Sequence, residues 1–329
     1  MMVASTSPPE TPKASSPAGG EPGPKRESWR DRLARWDLKG TPYLLILPFF
    51  AVFLGFGLFP LLYTGWVSLH DWHVVLGDQG FVGLANFARL LGDPNFWNAL
   101  FNTLSIFLIS TVPQLLAALG LAALLDRRLR GRTFWRAGVL LPNVVSVVAV
   151  ALVFAQLFGR DYGVVNHVLG WVGIDPINWR SGTWASHLAI SVMVMWRWTG
   201  YNALIYLAAM QSVPRELYEQ AEIDGASRWR TFWAITVPSI RPTIIFTVLV
   251  STIYGLQLFA EPQLFDPKGT AGVGGNSREF QTVTMYLYEE GVRLGDAGYG
   301  SAIAWALFLI VLVFAVFNYR LSRRIASKD

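Results

Sequence analysis

The chain has 329 residues, 53% of them hydrophobic and only 15% charged. A soluble domain carries about 25% charged residues, so the composition is that of an integral membrane protein, and the 14 tryptophans suit a bilayer interface. The absence of cysteine excludes disulfides, thiolate metal sites and a cysteine nucleophile, and the net charge of +5 suggests no partner until its distribution is known.

Residues 1–24 are rich in Pro, Ser, Thr, Gly and Ala, which predicts a disordered tail, extended by a basic stretch to residue 38. No signal peptide is visible in it, because the first apolar run starts only near Tyr43. Over 39–329 the expectation is an all-α polytopic membrane domain. Six segments reach the roughly 20 apolar residues that a span needs: about 43–68, 97–125, 134–158, 185–210, 242–264 and 299–320. Pro113 interrupts the second and Pro142 the third, which neighbouring helices can accommodate.

Basic residues gather in the N-terminal flank (Lys25, Arg26, Arg30, Arg32, Arg35, Lys39), after span two (Arg127, Arg128, Arg130, Arg132, Arg136), after span four (Arg215, Arg228, Arg230, Arg241) and at the C-terminus (Arg320, Arg323, Arg324, Lys328). The alternate connections carry Asp71, Asp78, Asp93, Asp161 and Asp175. The positive-inside rule then places both termini and the 211–241 connection in the cytoplasm, and assigns the basic excess to topology and anionic lipid rather than to nucleic acid.

That connection is too polar to span. Ser212 is expected to cap a helix with Pro214 in its first turn, running to about Asp224, with Gly225 as a left-handed stop. A second helix is expected from near Ser227 to just before Pro238. Trp229, Phe232, Trp233 and Thr236 form an aromatic stripe on it. Such a hairpin either packs on its own spans and the headgroup layer or presents a helix to a groove on a soluble partner.

Glu219, Ala221, Gly225, Ile235 and Pro238 reproduce the spacing of the coupling-loop signature of ABC importer permeases: Glu-Ala-Ala, three residues, Gly, nine residues, Ile-x-Leu-Pro. Gln220 and Val237 depart from it. Residues 214–242 resemble the carbohydrate branch of that family, where Tyr-Glu-x-Ala-x-Ile-Asp-Gly-Ala is typical. Phe101-Asn102-Thr103, Gly163 with Asn166, Trp198-Thr199-Gly200-Tyr201-Asn202 and Tyr299-Gly300-Ser301-Ala302-Ile303-Ala304 extend the resemblance over about 40–329. The resemblance implies a type I ABC importer permease fold in a bacterial inner (plasma) membrane. It implies that Glu219, Ala221, Asp224, Gly225, Trp229, Ile235 and Pro238 couple the chain to an ATPase. It also implies a second permease subunit, two ATPase subunits and an external solute-binding protein as partners.

The chain itself shows no Walker P-loop. Gly269 to Ser277 is glycine-rich but lacks the lysine of a phosphate cradle, and reads as a flexible external loop. His70 and His73 have no third ligand nearby for zinc. ATP and Mg are therefore expected on the ATPase partners, with no cofactor on this chain. Polar residues inside spans usually face a cavity. Tyr201, Asn202, Tyr254, Gln257 and Glu261 offer the amides, carboxylate and aromatic platforms that suit a sugar. Resemblance to maltose-type permeases adds Gly200 and Ser251 to that path. Trp196 and Trp198 read equally as interface residues, and Arg197 with Glu261 as a structural pair. The stretch Phe259 to Phe265 with Thr282 to Tyr288 resembles permeases for cellobiose and related oligosaccharides, although Gly274-Gly275-Asn276 replaces the usual Gly-Gly-Pro. The expectation is half of an import path for a di- or oligosaccharide. The alternatives are a permease for a polyol, glycerol-phosphate or amino acid, and an ion-coupled secondary transporter with Glu261 as the coupling acid.

Overall fold

The computed structural model of the chain describes residues 29–127, 130–266 and 274–326. Residues 1–28, with Lys25 and Arg26, lie outside the described residues, as do Arg128, residues 267–273 of the glycine-rich stretch, and Lys328. The chain divides into two compact units, residues 1–60 and 61–329. In the first, α1 (Trp29–Val52) runs into a π-helical turn, Phe53–Leu58. The tail expected to reach residue 38 is thus helical from Trp29, where Arg, Leu and Ala favour helix over disorder.

Among its described residues, the regular structure of the second unit is helical apart from one hairpin. After α2 (Phe59–Val67), β1 (His70–His73) pairs antiparallel with β2 (Gly77–Phe81). This departs from the all-α expectation, and Gly77 and Gly80 supply the positive φ angles, 76° and 125°, that the connection and β2 need. The Val74 N–H donates to the Gly295 carbonyl at 2.8 Å, which fastens the hairpin to the chain ahead of the last helix.

Helices α3 (Ala85–Gly92) and α4 (Pro94–Leu125) follow, then α5 (Arg132–Val144) and α6 (Val147–Leu157). The expected third span is two helices bent by 88°. The bend falls at Val145 and Ser146, beyond Pro142, which stays inside α5. After α7 (Val164–Gly170) comes α8 (Thr183–Gln211). Asn166 pins the intervening loop by donating to the Arg160 and Ile177 carbonyls, both at 2.9 Å, and accepting from Trp179 Nε1 at 2.9 Å. The polar connection holds α9 (Arg215–Ile223), α10 (Arg228–Thr231), a π-helical turn over Phe232–Thr236 and α11 (Val237–Ser239). Beyond it are α12 (Arg241–Leu256), α13 (Ala260–Phe265), α14 (Val283–Tyr288), a π-helical turn over Glu289–Arg293 and α15 (Ala297–Ala326).

Among the described residues, three helices are long and apolar enough to cross a membrane, or five if each of two bent pairs counts as one span. The expected fourth span, α8, has the length at 29 residues, but it carries His187, Arg197, Asn202 and other polar groups that lower its hydropathy. The expected fifth span, 242–264, ends as a helix at Leu256, and α13 is separate from it.

Helices α4 and α8 form the centre. Ala118, Ala122 and Leu125 on α4 meet Ala203, Tyr206, Leu207 and Met210 on α8. Both sets recur at three- to four-residue spacing, and small residues let two backbones approach without a hydrophobic driving force between them. The Tyr206 hydroxyl is satisfied by Thr247 Oγ1 on α12 at 2.7 Å.

At the α4 N-terminus, Asp93 caps the helix by accepting from the Asn95 N–H at 2.9 Å, and it also accepts from the Tyr286 and Tyr299 hydroxyls. Arg89 bonds Asp296 at 2.6 Å and Glu290 at 3.3 Å, with its guanidinium 3.7 Å from the Tyr299 ring centroid. Burial pushes the Asp93 carboxyl up, but the tyrosine hydroxyls and the Asn95 and Phe96 N–H groups outweigh it and hold the carboxyl below its ordinary value. A carboxyl depressed in the folded state adds stability above its unfolded value, and this is lost as pH falls through the folded value. Asp93→Asn keeps a side chain able to cap α4 but removes the charge. The expected result is a lower Tm at neutral pH and a flatter loss of Tm below about pH 4, read by thermal scans in detergent. Glu290 moves the other way: burial raises it, and Glu289 adds to this against the opposition of Arg89. Its contribution therefore favours the fold as pH falls and does not mimic the Asp93 signal.

Candidate functional site

The break after α12 builds a cavity. Pro262 has no N–H to donate to the Leu258 carbonyl one turn back. That carbonyl instead accepts from Thr282 Oγ1 at 2.8 Å and Thr284 Oγ1 at 2.7 Å. The chain is therefore held open over Gln257–Phe259 rather than continuing as helix. A Cβ on Gly255 would lie 2.6 Å from a Phe107 ring carbon, so this glycine brings α12 close to α4 just before the break.

The cavity lies between α4, α8 and α12, with α13 over one end, and has a volume of about 280 Å³. Tyr201, Asn202, Ser251, Tyr254, Gln257 and Glu261 all line it, so residues predicted from two separate sequence segments converge. Trp198 and Tyr254 stack with ring centroids 5.6 Å apart and planes 29° apart, and Tyr201 meets Trp198 edge-on at 5.9 Å. The floor is polar: Asn202 Nδ2 lies 3.5 Å from Ser251 Oγ. Glu261 is buried and pairs with the Arg197 guanidinium across α13 and α8.

Gly200 does not line this cavity. It is buried on the opposite side of α8, where an added Cβ would lie 1.7 Å from the Val139 carbonyl oxygen of α5. It is a close-packing glycine between two helices. Conversely, Thr111 and Gln114 on α4 line the cavity and were missed. The signal that could have found them is the one used elsewhere, a polar residue inside an apolar span. Trp198 lines the cavity, whereas Trp196 borders a separate apolar groove along α6.

The second site is the hairpin of α9 and α10. Gly225 has φ +70°. Its N–H bonds the Glu222 carbonyl at 3.1 Å, and the Ala226 N–H bonds the Ala221 carbonyl at 2.9 Å, the paired bonds of a glycine-terminated helix end. Ser227 caps α10 by accepting from the Arg230 N–H. Ala221 is buried beneath the hairpin, Ile235 is half-buried, and Glu219, Asp224, Trp229 and Pro238 are exposed. Two expectations are corrected. Ser212 does not cap α9: its hydroxyl donates to the Ala209 carbonyl at the end of α8, and Pro214 occupies the cap position. The second helix does not end before Pro238, because the π-helical turn carries it into α11, whose first turn tolerates the missing N–H. The aromatic stripe divides: Trp229 and Trp233 face outward, while Thr236 is buried against the Tyr218 hydroxyl at 3.1 Å.

Elsewhere, His70 Nδ1 lies 2.8 Å from the Trp66 carbonyl and His73 Nε2 lies 3.2 Å from the Leu294 carbonyl, so both imidazoles serve the β-hairpin. No group of three metal-ligating side chains occurs among the described residues. The described end of the glycine-rich stretch is packed rather than slack: the Gly274 carbonyl accepts from the Phe280 N–H at 3.0 Å, and a Cβ there would meet the Gln281 backbone at 2.4 Å.

A family described as "Binding-protein-dependent transport system inner membrane component" matches residues 90–327. The arabinooligosaccharides transport system permease protein AraP of Halalkalibacterium halodurans is 35% identical over 284 residues, covering 84% of this chain and 86% of that protein. The lactose transport system permease protein LacF of Rhizobium radiobacter is 36% identical over 299 residues, covering 89% and 97%. Among solved structures, a bacterial alginate ABC transporter in complex with an alginate pentasaccharide-bound periplasmic protein has a chain that matches with TM-score 0.75 and 25% identity, over 90% of this chain and 97% of that one. With the helical membrane fold, the signature hairpin and these relatives in agreement, the chain belongs to the family of binding-protein-dependent transport system inner membrane components.

Proposed function

We propose that the chain is the membrane-spanning permease subunit of an ATP-driven importer of a neutral di- or oligosaccharide. The observation that carries this is the cavity wall: stacked Trp198 and Tyr254 face amide and hydroxyl groups at Asn202, Ser251 and Gln257. Sugars present apolar C–H faces and hydroxyl edges, which such a wall matches. The charged residue bordering the cavity is Glu261, and its partner Arg197 already compensates it. No cationic side chain among the described residues borders the cavity, which disfavours a phosphorylated solute. The commitment of Glu261 to Arg197 likewise disfavours an ion-coupled transporter using that acid. Relatives named for arabinooligosaccharides and lactose support the same class.

On this reading the 211–241 hairpin docks an ATPase subunit, with ATP and Mg held by that partner and hydrolysis occurring there. Its exposed acids, Glu219 and Asp224, and exposed apolar side chains, Ile223 at 85% and Trp229 at 72%, give a face that a groove would cover. A second permease supplies the other half of the path, and a solute-binding protein delivers the sugar on the opposite side. Both termini are cytoplasmic, by the distribution of Arg and Lys. Gentle detergent purification from the native membrane tests the assembly. A second permease and an ATPase are expected to copurify, and the ATPase to be lost from Gly225→Val and Glu219→Ala chains that remain at normal membrane levels. A single chain that transports alone would overturn the reading.

A further inference from the structure

Among the described residues that line the cavity, one carries a fully buried polar atom without a hydrogen-bond partner. Gln114 lies on α4 directly after Pro113 and is 2% exposed. It borders the cavity, and its Nε2 makes no hydrogen bond within the protein. The great majority of buried polar side-chain atoms are hydrogen-bonded, so an exception calls for an explanation. Two neighbouring polar groups are engaged with each other or elsewhere: Asn202 leans on Ser251, and Glu261 is taken by Arg197. Gln114 stands one turn before Ala118 and two before Ala122, which are packed in the α4–α8 contact.

We infer that Gln114 is a specificity-determining residue that hydrogen-bonds one sugar hydroxyl while the sugar ring lies against the Trp198–Tyr254 pair. This rests on the saccharide reading of the cavity. An amide offers both donor and acceptor and a hydroxyl can be either, so the pairing is met whichever way the amide is turned. The site then favours the stereoisomer that brings a hydroxyl to α4 and penalises one that leaves the amide unpaired. The open apolar groove along α6 lacks such a group.

The test is uptake by cells carrying the chain in its own transporter, with labelled lactose, trehalose and maltose as probes and monodeoxy analogues of whichever is taken up. Gln114→Met keeps the length and removes the amide. Its KM for that sugar is expected to rise about tenfold, with the maximal rate within about twofold. One monodeoxy analogue should be penalised about tenfold by the unaltered transporter and not by the variant. Gln114→Glu, similar in size but without the N–H donors, is the second variant if Gln114→Met fails to reach the membrane. An unchanged KM, or a loss that falls equally on the sugar and every deoxy analogue, overturns the assignment while leaving the saccharide reading intact. Failure of the unaltered cells to take up any of the three sugars through this transporter overturns the saccharide reading, and the Gln114 assignment with it.

Discussion

Gly200→Ala is expected to strip this chain of its folded form, although it adds one methyl group. The added carbon would lie 1.7 Å from the Val139 carbonyl oxygen, 2.7 Å from its carbonyl carbon and 2.9 Å from Cγ1. The first two are backbone atoms, which cannot rotate aside as a side-chain tip can, so α5 and α8 must move apart along their contact. Overpacking that side chains can absorb costs about 1–3 kcal/mol, and a backbone collision belongs at or above the top of that range. In detergent, the thermal midpoint of Gly200→Ala should fall well below that of the unaltered chain, and membrane levels should drop with it. Tyr201→Ala is the control from the next position. It faces the cavity and is 41% exposed, so it should alter sugar uptake and leave the thermal midpoint nearly unmoved. A Gly200→Ala chain with a normal midpoint and impaired uptake would put Gly200 back in the sugar path, where the family resemblance had it.

The case shows which features a sequence exposes. A polar residue in an apolar segment is costly wherever it stands, so Asn202, Gln257 and Glu261 could be marked as cavity candidates without knowing their neighbours. The same rule applied evenly would have found Gln114. What it does not carry is direction around the helix axis. Gly200 and Tyr201 are adjacent in sequence and lie on different faces of α8, one against Val139 and one in the cavity. Local chemistry read Gly225 correctly, because the left-handed stop and the two bonds behind it involve only residues 221–226. Ser212 misled for the opposite reason. A serine before a proline fits the start of a helix, but the hydroxyl can equally close the helix behind it, and α8 ends there. The break after α12 needed information from afar. Pro262 was in plain view, yet the freed Leu258 carbonyl is tolerable only because Thr282 and Thr284 arrive to satisfy it. The π-helical turns at Phe53–Leu58, Phe232–Thr236 and Glu289–Arg293 had no sequence sign that periodicity could use.

Removing one member of the Arg197–Glu261 pair should cost more than removing both. Side-chain exposure is 13% for Arg197 and 7% for Glu261, so neither charge has water to fall back on. Losing one partner of a buried ion pair leaves an uncompensated charge and costs about 3–5 kcal/mol, whereas replacing both with neutral groups of similar volume is often close to neutral. Arg197→Met and Glu261→Gln should therefore each lower the thermal midpoint sharply, and the double variant should recover most of the loss. The consequences for transport differ between the singles, because Glu261 borders the cavity and Arg197 does not. Arg197→Met leaves a bare carboxylate beside the sugar and should raise KM. Glu261→Gln leaves the unpaired cation one step removed, and a smaller effect on KM is expected. α13 carries Glu261 at the end of the cavity, and α8 carries Arg197, so the pair also ties α13 to α8 beside the cavity. The double variant should be stable yet leak substrate or hydrolyse ATP without it. A double variant as unstable as the singles would mean that packing of α13 against α6 and α8, and not charge, holds that end in place.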